Sequence, residues 1–200
     1  DLEEAVRLRP DSPMALTARG GLKALGGDSK GAMADYDRAI RADPTWVESW
    51  RNRAIVRSQI GDMKGALADC DEAVKRGPDN LTALGTRGAL RAAAGENEGA
   101  IDDLNAVLAK NARDLPSLLS RGNAKSALGD SRGALADYEA ACEVAPESPE
   151  ANANCGLTHL ALGNREAAGE RLEKALQFAP AGWAFRNQVE SSLAPLRRPK

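Results

Sequence analysis

The chain repeats itself every 34 residues. Gly27, Gly61, Gly95, Gly129 and Gly163 fall on that step, and Ala32, Ala66, Ala100, Ala134 and Ala168 keep it. Pro10, Pro44, Pro78, Pro146 and Pro180 follow the same spacing, with Ala112 in the single gap. A period of this length, held without an insertion, restricts the fold to stacked modules, each burying its apolar face against its neighbours. Within a unit the signals predict two helices. In the fourth, Leu115 to Leu128 forms helix A, and Gly129 takes the left-handed position that ends it. Asp130 caps helix B, which runs to about Val144 until Pro146 stops it. The glycine-then-cap pair recurs as Gly27-Asp28, Gly61-Asp62, Gly95-Glu96 and Gly163-Asn164, with Glu96 the weakest cap. A fourteen-residue helix is about 21 Å long, and a two-residue turn folds each pair into an antiparallel hairpin.

Composition narrows the function. Aromatic residues make up 4% while Ala numbers 38, which predicts a thin core with closely packed helices. Basic and acidic residues nearly balance, 27 against 29, and this argues against a nucleic-acid partner. The longest run without Asp, Glu, Lys or Arg is Ala151 to Asn164, shorter than the roughly 20 apolar residues of a membrane span. Cys70, Cys142 and Cys155 are odd in number and form no CxxC, as expected of unpaired buried thiols in a reducing compartment. His159 is the single histidine, so a multi-His metal site is excluded. Cys155 and His159 stand at i, i+4, a spacing that serves a Cys–His nucleophile or half a metal site. No third ligand or oxyanion donor accompanies them, so a small buried Cys beside a surface His is expected, with no catalysis, metal or cofactor. No GxxxxGK[ST] phosphate loop is present, and the Asp-rich runs on helix B lack a calcium loop.

With Pro13 as position 1, position 4 is Leu16, Trp50, Leu84, Leu118 and Asn152, and position 8 is Gly20, Ala54, Gly88, Gly122 and Gly156. Position 24 is Tyr36, Cys70, Leu104, Tyr138 and Leu172, and position 27 is Ala39, Ala73, Val107, Ala141 and Ala175. On these residues the chain resembles the tetratricopeptide repeat family over nearly its whole length. The resemblance implies an all-α, right-handed superhelix (a solenoid) of five full repeats, 13–46, 47–80, 81–114, 115–148 and 149–182. Residues 1–12 are expected to be the second helix of a truncated repeat, on Leu2, Ala5 and Pro10, as if the native chain extended further. Residues 183–194 are expected to form a capping helix on Phe185, Val189 and Leu193, with a frayed tail over 195–200.

Arg19, Arg53, Arg87 and Arg121 occupy position 7, and Asp35, Asp69, Asp103 and Asp137 follow sixteen residues later. In the fifth unit both change, to Cys155 and Arg171, so each Arg is expected to meet the Asp of its own hairpin. Lys23, Arg57, Arg91, Lys125 and His159 at position 11 are expected to hold their heads in water. The position-8 residue is expected to meet position 20 where the helices cross. The resemblance further implies a concave groove lined by A helices, here by Thr17, Arg51, Asn52, Ile55, Thr86, Ser120, Asn123 and Asn154. Of the carboxylate grip used by chaperone adaptors in the family, Asn52 alone matches. Asn52, Asn123 and Asn154, with Thr86 and Ser120, are similar to a partial asparagine ladder, which holds a peptide backbone without reading its sequence; short polar groups facing water are the plain alternative. The expected function is a non-catalytic scaffold or adaptor holding a segment of another protein in this groove. The alternative is a structural subunit of a larger complex, docking by its convex face or ends.

Overall fold

The computed structural model describes residues 2–197, and of the expected tail residues 198–200 lie outside the described residues. Twelve α-helices and no strand are present among the described residues. The chain divides into two compact units, residues 1–94 and 95–200. The first holds α1 (Leu2–Leu8), α2 (Pro13–Leu25), α3 (Ser29–Ala42), α4 (Val47–Gln59), α5 (Met63–Arg76) and α6 (Leu81–Ala94). There α2 pairs with α3 and α4 with α5, while α2, α4 and α6 pack side by side. The second holds α7 (Asn97–Lys110), α8 (Leu115–Ala127), α9 (Ser131–Val144), α10 (Pro149–Ala161), α11 (Arg165–Phe178) and α12 (Arg186–Leu193). There α8 pairs with α9 and α10 with α11, and α12 packs on both α10 and α11.

The repeating glycine explains the turns. Gly27, Gly61, Gly95, Gly129 and Gly163 all have φ between +83° and +86°, a region that a Cβ disfavours. In the turn after α2 the Gly27 amide donates to the Ala24 carbonyl (3.0 Å) and the Asp28 amide to the Lys23 carbonyl (2.9 Å), a Schellman closure. Asp28 Oδ1 then accepts from the Gly31 amide at 2.9 Å and starts α3; Asp62 and Asp130 do the same at 2.9 Å for α5 and α9. Glu96 and Asn164 make no side-chain capping bond.

The cores are small-residue cores, as the composition predicts. Leu16, Tyr36, Ala39 and Ala54 are buried in the first unit, and Leu118, Tyr138, Ala141 and Leu172 in the second. Where position 8 is Gly, the helix crossing also brings in position 24. A Cβ at Gly122 would stand 2.5 Å from Tyr138 Cε1, at Gly20 2.7 Å from Tyr36 Cε1, and at Gly156 2.8 Å from Leu172 Cγ. Position 8 thus underlies the large side chain at position 24. Where position 8 is Ala54, position 24 is the small Cys70, and the two share a cluster with Ala66 at position 20.

Charge closes the helix pairs. Arg19 holds Asp35 with two bonds (2.5 and 2.8 Å), Arg53 holds Asp69 (2.6 and 2.8 Å), and Arg121 holds Asp137 (2.5 and 3.0 Å). The Asp side chains are 3–4% exposed. Each guanidinium also reaches back sixteen residues, Arg19 to Glu3 (3.0 Å), Arg53 to Asp37 (2.6 Å), Arg87 to Asp71 (3.1 Å) and Arg121 to Asn105 (2.7 Å). The expectation for position 11 is corrected. Lys23 Nζ lies 2.8 Å from Asp35, Arg57 Nη1 3.0 Å from Asp69, and Lys125 Nζ 2.9 Å from Asp137. A carboxylate stripped of water is better neutralised by two cations than by one. Burial alone pushes the Asp35 carboxyl up, but the hydrogen bonds from Arg19 and Lys23, aided by their charges, outweigh it and hold it below its ordinary value.

The last helix is also corrected. It starts at Arg186, not residue 183, because Trp183 and Phe185 lie in a turn before it. Val189 and Leu193 are buried as expected, whereas Phe185 is 53% exposed and packs edge-on against Trp183, ring centroids 5.8 Å apart.

Candidate functional site

The expected groove residues separate by unit and by depth. On α4, Asn52 and Ile55 line a cavity of about 390 Å³ with Tyr36, Ala18, Leu22 and Leu25. The Asn52 side chain makes no hydrogen bond among the described residues, which leaves its amide open to a ligand. Arg51 is half-buried, and its Nε is enclosed without a hydrogen-bond partner. Thr86 on α6 donates its hydroxyl back to the Thr82 carbonyl at 2.8 Å. Thr17 is a correction: it is 6% exposed, and its hydroxyl meets Ser49 Oγ at 2.7 Å. Position 5 of α2 faces the neighbouring A helix, so a small residue there is covered by α4.

In the second unit, Asn123 on α8 and Asn154 on α10 line a cavity of about 410 Å³. Its apolar wall is Leu119, Leu157, Trp183 and Phe185, with Glu150 and Gln188 at its edge. The two amides meet: Asn154 Nδ2 donates to Asn123 Oδ1 at 3.3 Å. Tyr138 donates its hydroxyl to the same oxygen at 2.8 Å. Burial, aided by the nearby Asp137 charge, pushes the Tyr138 phenol up to about 12, so it remains a donor. The Asn123 NH₂ and the Asn154 carbonyl stay unspent among the described residues, a donor group and an acceptor of the two kinds that a peptide group pairs with. Ser120 is half-buried one turn away and lies outside this cavity.

The 34-residue step could not have shown Trp183 and Phe185 in this wall, since they lie beyond the fifth unit. Glu150 fixes the Trp183 ring by accepting from its indole N–H at 3.1 Å. The three thiols are buried and free. Cys142 lies in hydrogen-bond contact with Cys155; that bond, from Cys155 to the Cys142 sulfur, holds the Cys142 thiol below its ordinary value and raises Cys155, and burial raises Cys155 further. No helix among the described residues is long and apolar enough to cross a membrane.

Comparison with known proteins accords with this fold. No curated protein sequence matches the chain. Among solved structures, TTC0263 of Thermus thermophilus, a thermophilic TPR protein, superposes with a TM-score of 0.74 at 22% identity, over 92% of this chain and 100% of its own. YrrB, a TPR protein with an unusual peptide-binding site, gives 0.70 at 21% identity over 94% and 97%. The Cut9–Hcn1 hetero-tetramer of the APC/C gives 0.81 at 16% identity, over 98% of this chain and 38% of the other. The tetratricopeptide repeat pattern matches residues 1–45 and 51–116, and a TPR repeat pattern matches residues 122–163. Such repeats are typically non-catalytic interaction modules, and with more than half its length matched the chain belongs to the tetratricopeptide repeat family.

Proposed function

We propose that the protein is a non-catalytic scaffold that holds an extended segment of a partner protein against its A helices. The observation that supports this reading is the cavity of the second unit. It joins an apolar wall of Leu119, Leu157, Trp183 and Phe185 to the paired amides of Asn123 and Asn154. The wall takes one apolar side chain of the segment, and the amides take the adjoining peptide group. Such a site selects for an apolar residue on an extended backbone and is indifferent to most flanking residues. In the first unit Asn52 and Ile55, beside Tyr36, offer a second contact of the same kind.

The test is a peptide array of extended segments bearing one central Leu, Met or Phe, probed with the full chain. Binders are then titrated by following tryptophan fluorescence, with Trp46 and Trp50 replaced by Phe so that Trp183 alone reports. Asn154→Ala and Phe185→Ala are each expected to weaken binding by about tenfold, the size of one lost hot-spot contact. Peptides that bind both variants as tightly as the parent protein would refute the site.

A further inference from the structure

At α2, α4 and α8, the position-7 Arg stands between an Asp sixteen residues ahead and an acceptor sixteen residues behind. At α10 the plan changes. The Arg is replaced by Cys155 and the Asp by Arg171, while the acceptor behind, Glu139 on α9, and the nitrogen base at position 11, here His159, remain. Three different metal-ligating groups are thereby gathered where a guanidinium would otherwise lie. One donor atom from each of Glu139, Cys155 and His159 lies within 4.8 Å of the other two. His159 Nε2 is 3.6 Å from Glu139 Oε1. Cys142, one turn from Glu139 on α9, packs in the same buried cluster as Cys155 but lies outside this group of three.

We propose that Glu139, Cys155 and His159 form a binding site for a zinc-class divalent ion, which clips α9 to α10. Metal–ligand bonds of 2.0–2.3 Å place tetrahedral donors about 3.3–3.8 Å apart, so the donors must draw in slightly. Glu139 is 48% exposed and free to rotate, while Cys155 and His159 are fixed one turn apart on the same helix. A set of thiolate, imidazole and carboxylate favours zinc, cobalt and nickel over magnesium and calcium, which take all-oxygen shells. On binding, the Cys155 S–H bond breaks, its proton passes to solvent, and the sulfur–metal bond forms; nothing is oxidised or reduced. The sequence shows Cys155 and His159 as a pair. Glu139 joins them because α9 packs on α10, an arrangement that spacing alone does not reveal.

The test is titration of the metal-free, reduced full chain with Co²⁺, read by absorbance. The expected result is a thiolate-to-cobalt charge-transfer band with tetrahedral visible bands, saturating at one equivalent and bleached by Zn²⁺. Glu139→Gln changes a half-exposed side chain and His159→Gln one that is 12% exposed but keeps a similar size, and each is expected to weaken binding by at least about tenfold, on the scale of a lost metal-supporting group. Cys155→Ser removes the charge-transfer band, and Cys70→Ser leaves it intact. Zn²⁺ raises the melting temperature of the parent chain but not that of His159→Gln. Absence of the charge-transfer band from the parent chain would overturn the proposal. So would a band of unchanged strength in His159→Gln and Cys155→Ser.

Discussion

Gly122→Ala tests the packing rule that joins position 8 to position 24. The added methyl would lie 2.5 Å from Tyr138 Cε1, 2.9 Å from Cδ1 and 3.0 Å from Cζ. The ring is 3% exposed and its hydroxyl is committed to Asn123, so it has little room to retreat. Overpacking of this kind costs roughly 1–3 kcal/mol. Moving the ring also strains the hydroxyl bond to Asn123, worth about 0.5–1.5 kcal/mol. Against this, replacing Gly by Ala inside a helix gains about 0.8–1.0 kcal/mol of propensity. The net expectation is destabilisation by about 1–3 kcal/mol, which for a chain of this length lowers the melting temperature by roughly 2–12 °C. The protein contains its own control, because Ala54 at position 8 faces Cys70 at position 24 without conflict. In a Tyr138→Cys background, kept reduced, Gly122→Ala should therefore be neutral or stabilising by up to about 1 kcal/mol. Urea denaturation followed by circular dichroism, run on all four members of the cycle, gives the coupling. An equal cost in both backgrounds would refute the rule.

Asp69→Ala removes the carboxylate shared by Arg53 and Arg57 and leaves Arg53 with Asp37 alone, so it should cost about 1–3 kcal/mol, less than a buried charge left with no partner; an unchanged urea midpoint would disprove the pairing. Asp35 has a folded-state pKa below its unfolded value of about 3.9. Its contribution to stability is therefore complete above that value and is lost as pH falls through the lower folded one. Melting temperatures measured between pH 7 and pH 2 should fall more steeply in the parent protein than in Asp35→Asn.

Much of the fold is visible in the chain itself, because the same residue types recur at the same places. Gly129 ends one helix and Asp130 starts the next by local backbone chemistry, which needs no knowledge of distant contacts. The Arg–Asp pairs are legible for a different reason: Cys155 and Arg171 change together, and that joint change marks a contact across sixteen residues. The partners of Lys23, Arg57 and Lys125 are not legible, since a long side chain facing water and one folded over a buried carboxylate look identical in sequence. Thr17 misleads because its place on the hairpin is right but α4 covers it. The wall made by Trp183 and Phe185 depends on how a non-repeating turn folds over α10, and nothing periodic encodes that.

The closure at each turn sets a rule for how this protein can be taken apart and rebuilt. Lys23, Arg57, Lys125 and His159 each give a backbone carbonyl to the turn that follows, and the side chain of the same residue engages the charged seam between helices. One residue added between that position and the next helix would pull carbonyl and cation out of phase together. The loops around Pro44 and Pro146 supply no cation to the seam; their proline carbonyls accept from Trp50 and Arg76 and from Asn152. Exchange, deletion or duplication of modules should therefore be tolerated when the cut falls in those loops, and should fail when it falls beside the glycines.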